Sequence, residues 1–260
     1  MRILSYCFVA VALAFAANSA QAQSTQATES MPSAITPTIS LGQGTAPTTY
    51  GWAGTWFSDH YAGGYVGAVT ALNSNLWTNG FLLRGDVSAG RYNYVSSGSD
   101  VDVTMHGADV MLGYRAIVGT SSFTIYGGPS YEAQPNGDPA AAIHGTEVGA
   151  KVFGDFSNKL TQDLELDLQG SFATPFSTYS ATARLLYQVA DRIWVGPQAT
   201  LYGNRAPYQE GTVGAYVKYV ARNYEMGASG GYRHPMKTTS GSQSDADGYF
   251  ASIYIGVPFH

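Results

Sequence analysis

Between residues 163 and 171 the chain reads DLELDLQGS, in which Leu164, Leu166, Leu168 and Gly170 alternate with Asp163, Glu165, Asp167, Gln169 and Ser171. A helix would scatter these residues around its circumference. A strand, whose side chains point to alternate faces, sorts them into an apolar face and an acidic one. The same two-residue period returns elsewhere. In 81–89, Phe81, Leu83, Val87 and Ala89 oppose Arg84, Asp86 and Ser88. In 146–156, Thr146, Val148, Ala150, Val152 and Phe156 alternate with Glu147, Lys151 and Asp155, and Tyr179 to Val189 and Val213 to Ala221 follow suit around Arg184 and Lys218. Twelve such segments run near 51–59, 61–73, 78–94, 103–118, 121–133, 142–157, 160–173, 176–189, 192–204, 208–221, 222–234 and 247–259. None carries a helical period, so the expected fold is all-β, with about twelve strands and ten as the alternative count.

The connections suggest the topology. Starting from the first strand, the even-numbered ones are tight: Asn73–Trp77, Gly119-Thr120, Asn158-Lys159, Ala190-Asp191 and Arg222-Asn223. Most odd-numbered ones are longer and polar: SSGSDVD at 96–102, QPNGDPAA at 134–141, NRAP at 204–207 and HPMKTTSGSQSDAD at 234–247. Asp59-His60 and Thr174-Pro175 are short exceptions. Short turns alternating with long loops are the pattern of an antiparallel up-and-down transmembrane β-barrel, and an even strand number leaves both termini on the periplasmic side.

Composition supports export and a membrane. Arg2, the apolar run Cys7 to Ala17 and the small residues around Ala20-Gln21-Ala22 read as a signal peptide over 1–22. Residues 23–50, rich in Ser, Thr, Gln and Pro, read as a flexible N-terminal tail, leaving 51–260 as the barrel. The one cysteine, Cys7, falls within the signal, which excludes disulfides and thiolate chemistry from the mature chain. Of 13 Lys and Arg, Arg2 is removed with the signal, and 12 then face 18 Asp and Glu; no basic footprint for nucleic acid exists. Only 12% of residues are charged, while Gly (31) and Tyr (19) abound, which suits a surface in lipid better than one in water. A soluble β-sandwich or lipocalin-like barrel is the competing fold. The last segment, YFASIYIGVPFH, puts Tyr249, Ile253, Ile255, Val257 and Phe259 on one face as a candidate signal for the outer-membrane assembly machinery, although His260 follows the aromatic.

Four segments, GYVGAVTALN (64–73), GFLLR (80–84), DVMLGY (109–114) and GTEVGAK (145–151), resemble in order and spacing the BcsS-type cellulose-biosynthesis proteins of Gram-negative bacteria. The resemblance spans 52–259. It implies an outer-membrane protein associated with cellulose synthesis or export, with cellulose or the cellulose synthase complex as partner, and it brings no catalytic residues with it.

Parity assigns the candidate site. Acids expected to face the lumen are Asp86, Asp109, Glu147, Asp155, Asp163, Glu165, Asp167 and Glu225; bases are Arg84, Arg115, Lys151, Arg184, Lys218 and Arg233. The near-balance fits cross-strand ion pairs, or a pore lining with a transverse field. Tyr92, Tyr94, Tyr126, Trp194, Tyr202, Tyr216, Phe250 and Tyr254 also point inward, as filling for a narrow lumen or as platforms for sugar rings. An enzyme is not expected. His106 and His144 share parity with lipid-facing residues and no Ser with an orienting base stands beside them. Asp163, Glu165 and Asp167 lie about 6.6–6.8 Å apart along a strand, but without an apolar pocket to tune one as an acid. Histidines do not cluster at ligand spacing and no phosphate loop opens a helix, so neither metal nor cofactor is expected. The expected function is therefore a monomeric, non-enzymatic outer-membrane barrel in cellulose export, as a glucan or solute pore or as an anchor. The alternatives are a small general porin or adhesin-like surface barrel and an outer-membrane hydrolase.

Overall fold

A computed structural model describes residues 46–59, 61–96, 99–136, 143–205, 208–237 and 247–260. The expected signal and most of the expected tail lie outside the described residues. Twelve strands follow in order: β1 (Thr49–Ser58), β2 (Tyr61–Ala71), β3 (Gly80–Ser96), β4 (Ser99–Val118), β5 (Ser121–Gln134), β6 (Gly145–Lys159), β7 (Leu164–Ala173), β8 (Tyr179–Ala190), β9 (Ile193–Gly203), β10 (Gln209–Val220), β11 (Glu225–Lys237) and β12 (Gly248–Phe259). Each pairs antiparallel with the next, and β12 pairs with β1 from Thr49↔Phe259 to Ser58↔Phe250, closing the barrel. Closure gives every strand two neighbours, so no edge is left open to hydrocarbon. The count is twelve, not ten.

Alternation decides the two surfaces. Among the described residues, Phe81, Leu83, Val110, Leu112, Phe123, Ile125, Val152, Phe172, Leu185, Val213 and Ile253 are exposed on the outside, and Val148 reaches 76% exposure. Water would penalise so continuous an apolar exterior by roughly 25 cal/mol per Å² of apolar surface; lipid does not. The molecule is an outer-membrane-type barrel. Tyr249, Ile253 and Phe259 of β12 are exposed on this outer face, and Ile255 and Val257 are half-buried on it.

Glycine is abundant because aromatic rings lie over neighbouring strands. Trp52 of β1 pairs with Gly67 of β2, where a Cβ would come within 2.5 Å of the indole. Tyr254 of β12 likewise pairs with Gly227 of β11, where a Cβ would come within 2.0 Å of the ring. Only glycine admits such an approach.

Several connections differ from the expected ones. The polar SSGSDVD stretch is not a loop: β3 and β4 continue through it to the pair Ser96↔Ser99. With 17 and 20 residues they exceed the roughly 9–11 a tilted strand needs to cross a membrane. The hairpin therefore projects beyond the apolar band, where water on both faces removes the need for alternation. β1 begins at Thr49, two residues inside the expected tail. β6 runs on to Lys159, and the turn that follows spans 160–163. Thr174-Pro175 opens a 3-10 turn, Pro175–Ser177, which folds inward rather than simply joining two strands. The end of the barrel where β1 begins and β12 finishes is the terminal end, and the opposite one is the far end.

Candidate functional site

The lumen-facing side chains are mostly not a lining around a channel. They meet one another. Arg84, Asp86, Asp109, Arg115, Asp155, Glu165, Asp167, Arg184, Lys218, Glu225 and Arg233 are all buried, with Lys218 at 0% exposure and Glu225 at 1%. Glu147 and Lys151 are half-buried. Of the expected aromatics, Tyr92, Tyr126, Trp194, Tyr202, Tyr216, Phe250 and Tyr254 are buried too. Tyr94 pairs with Val101 in the projecting hairpin, and its side chain lies outside the described residues. Asp163 corrects the parity reading. It is exposed in the β6–β7 turn, before the strand begins at Leu164, so the alternation in the sequence outruns the strand by one residue.

Two clusters bridge the lumen. The guanidinium of Arg84 (β3) lies 4.9 Å from the ring centroid of Trp52 (β1) and 4.3 Å from that of Phe153 (β6), while its Nε donates to Asp86 at 3.0 Å. Strands five places apart thus meet through one side chain. Lys218 (β10) donates to Glu165 (β7) at 2.9 Å and sits 5.6 Å from the Trp194 ring. The Tyr254 hydroxyl donates to Glu225 at 2.6 Å and lies 2.7 Å from that of Tyr216, whose ring is 4.6 Å from Arg184. Lys151 donates to Asp109 at 2.5 Å. Burying these charges is costly unless each is paired and hydrogen-bonded; the Arg84–Asp86, Lys151–Asp109 and Lys218–Glu165 pairs meet part of that demand, while Asp86 Oδ1, Asp155 Oδ2 and Glu165 Oε2 are buried without a hydrogen bond.

The terminal end is closed differently. The β2–β3 turn folds inward, so that Leu76 is buried with Val69, Ala71, Leu82 and Leu186. Its backbone fixes it in place: Leu76 N–H donates to Pro47 O at 3.0 Å, and Arg115 donates to Leu76 O at 2.6 Å.

The far end is polar and aromatic. Trp56 stacks on Tyr61 with centroids 5.5 Å apart and leans on Tyr65 at 5.3 Å. A narrow cavity lies between Trp56, Tyr61, Thr200, Tyr202, Thr212 and Phe250, with Glu210 and Arg233 in its wall. Arg233 donates to Glu210 at 3.0 Å and to Asp59 at 3.3 Å, and the Tyr208 hydroxyl also donates to Glu210. Beside it the 3-10 turn forms a strap. Phe176, in the left-handed region at φ 48°, is fully buried; its N–H donates to Glu147 at 2.7 Å and its carbonyl accepts from Arg205 N–H at 2.9 Å. Arg205 pairs with Glu147 and covers the Phe176 ring at 5.3 Å, while Thr178 donates to Glu132 at 2.8 Å. On the outer rim, Tyr232 and His234 hydrogen-bond Asp247 and hold its carboxyl below the ordinary range.

Parity reasoning missed the inward residues of β1 and β2, namely Tyr50, Trp52, Trp56, Tyr61 and Tyr65, together with Phe153, Glu132 and Glu210. The signal was present: Trp52 and Trp56 share a face of β1, and Glu210 shares one with Tyr216 and Lys218. His106 is exposed on the outside of β4, and His144 lies in the connection before β6. Among the described residues, no group of three or more His, Cys, Asp or Glu has metal-binding geometry.

Residues 51–257 match a family model described as "Cellulose biosynthesis protein BcsS". Among solved structures, the chain is similar to a KdgM porin, at 13% identity and a TM-score of 0.51 over 82% of this chain and 99% of the porin. A KdgM porin in complex with disordered oligogalacturonate matches at 14% identity and 0.50, over the same shares of both chains. A deltaS2S3 mutant of the monoaromatic hydrocarbon channel TodX matches at 9% and 0.50, over 87% and 93%. At such identities the likeness is one of fold. No curated protein matches the chain by sequence.

Proposed function

The chain belongs to the BcsS family of cellulose biosynthesis proteins, and from that premise we propose that it serves as a closed outer-membrane anchor whose work is done at its far end. The observation that carries this reading is the filled lumen: Trp52, Arg84 and Phe153 join across it, and Leu76 stops its terminal end. A conducting pore needs side chains that stand back from the axis, and here they hold one another instead. The barrel is a monomer with both termini in the periplasm, where the segment preceding β1 can engage the synthesis machinery. The far end, with its cavity and projecting β3–β4 hairpin, faces outward. The apolar face of β12 supports recognition by the assembly machinery. No step of bond chemistry is assigned to the chain.

The test is made in cells lacking the chain. Wild-type protein is expected to restore surface cellulose without raising the permeability of the outer membrane to a small chromogenic solute. Cellulose restored together with a raised permeability would overturn the closed barrel. Cellulose unaffected by deletion would overturn the role in its production.

A further inference from the structure

We infer that the strap between β7 and β8, Thr174 to Thr178, is a latch at the far end, held shut by the side chains of Glu147 and Arg205. It swings open as a unit while the strands on either side stay paired. The inference stands on the strap alone and goes beyond the reading of the barrel as an anchor. Strain in the backbone is the first observation that carries it. Phe176 and Ser177 both lie in the left-handed region, at φ 48° and 49°. Two successive L residues there, one of them bulky, persist only where the surroundings hold them. Segments of this kind cluster at switches and clamps.

The second observation is how the strap is held. One oxygen of Glu147 accepts from Phe176 N–H at 2.7 Å, and the other pairs with the guanidinium of Arg205. Arg205 donates its own backbone N–H to Phe176 O at 2.9 Å and lies 5.3 Å from the ring. Phe176 is thus gripped through its N–H, its carbonyl and its ring, by β6 on one side and the β9–β10 connection on the other. The base of the strap belongs to the sheet. Thr174 N–H donates to Ala150 O at 2.8 Å, its hydroxyl accepts from Ala150 N–H at 2.9 Å, and Ala173 N–H donates to Thr178 O at 2.8 Å. Those bonds fix two ends between which the middle can turn.

The third is depth. Phe176 is 0% exposed, whereas the side chains of Glu147 and Arg205 are 31% and 39% exposed. The load is buried and its fastening stands at the surface, where salt screens it. Burial of the ring and the grip on Phe176 favour the shut state, and backbone strain favours the open one. Opening returns Phe176 and Ser177 to ordinary backbone regions, withdraws the ring, and uncovers Glu132, to which Thr178 donates in the shut state.

The experiment follows amide hydrogen exchange residue by residue, by NMR, in the folded full-length mature barrel in detergent. Glycine takes a positive φ without steric cost, so Ser177→Gly is expected to slow exchange at Phe176 and Arg205 about threefold. Glu147→Gln keeps an acceptor for Phe176 N–H but removes the charge facing Arg205, and is expected to speed exchange at both amides together, about fivefold. The double variant is expected to fall between the two. Raising salt from about 0.05 to about 0.5 M is expected to speed both amides severalfold in wild type and to leave Glu147→Gln unmoved. Amides of the β7–β8 ladder around Leu168 and Ala183 are expected to keep the wild-type rate throughout. Should Glu147→Gln fail to fold, Ser177→Gly and the salt series on wild type decide. Faster exchange in Ser177→Gly, independent changes at Phe176 and Arg205, indifference to salt, or exchange that moves only together with the strand amides would overturn the latch.

Discussion

The terminal half of the lumen is stopped by aliphatic side chains and an infolded turn, whereas the far half is lined by hydroxyls, amides and aromatic rings around a cavity. At one end Leu76, Leu82 and Leu186 present only apolar surface. At the other, Tyr92 donates to Gln134 at 2.6 Å, Ser171 meets Ser180 at 2.8 Å and Thr182 meets Thr200 at 3.1 Å. The charged belt of Arg84 and Lys218 lies directly against the stop, since Arg84 pairs with Val69 and Glu165 with Leu186. A single strand supplies all three zones: β10 passes from Glu210 and Thr212 through Tyr216 to Lys218 and on to Val220. The wall is uniform in backbone and graded in chemistry.

The belt should be the most sensitive part. Lys218→Met leaves Glu165 without its partner among other buried acids, a change that costs about 3–5 kcal/mol where a buried pair is broken. The measurement is the urea midpoint of unfolding in detergent, and a loss below about 1 kcal/mol would show that the lumen is wetter than its geometry implies. Leu76→Ala should cost about 2–3 kcal/mol, less than a core strand position because the turn can relax. It should also loosen the terminal stop, read as faster hydrogen exchange at Arg115 and its neighbours. Arg205→Ala should be milder, about 1 kcal/mol or less, since the pair with Glu147 is partly exposed. Its stronger signature is local, a strap that becomes sensitive to protease at Phe176 while the strands stay resistant.

Asp247→Asn should have the smallest effect. The depressed carboxyl adds stability only above the ordinary carboxylate range and loses it as pH falls through the folded value. Any difference between variant and wild type in unfolding midpoint should therefore begin to shrink as pH falls below about 4 and vanish only below the folded value. A difference that grew on acidification would contradict the hydrogen bonds from Tyr232 and His234.

The strands and their two faces were legible because a period of two is written into residues such as Leu164 to Ser171, and lipid outside leaves that period undisturbed. The ends of the elements were not. The 96–102 stretch is polar in sequence because its strands stand in water, where a ladder can continue without an apolar face. Asp163 shows the reverse error, a turn residue that happens to keep the alternation. The contacts across the lumen were hidden for a different reason. Parity says that Trp52, Arg84 and Phe153 point inward, but their meeting depends on side-chain length across strands five places apart, which no local pattern records. Leu76 lies in a turn, where parity has no meaning.

The measurement that tests the closed lumen most directly is the planar-bilayer conductance of the folded mature protein, recorded alone and with cellopentaose added. The account predicts no stable unit conductance in either condition from protein shown to be folded by its heat-modifiable mobility. Regular steps of conductance that cellopentaose blocks would mean that the belt of Arg84 and Lys218 parts to form a glucan path, and would contradict the account.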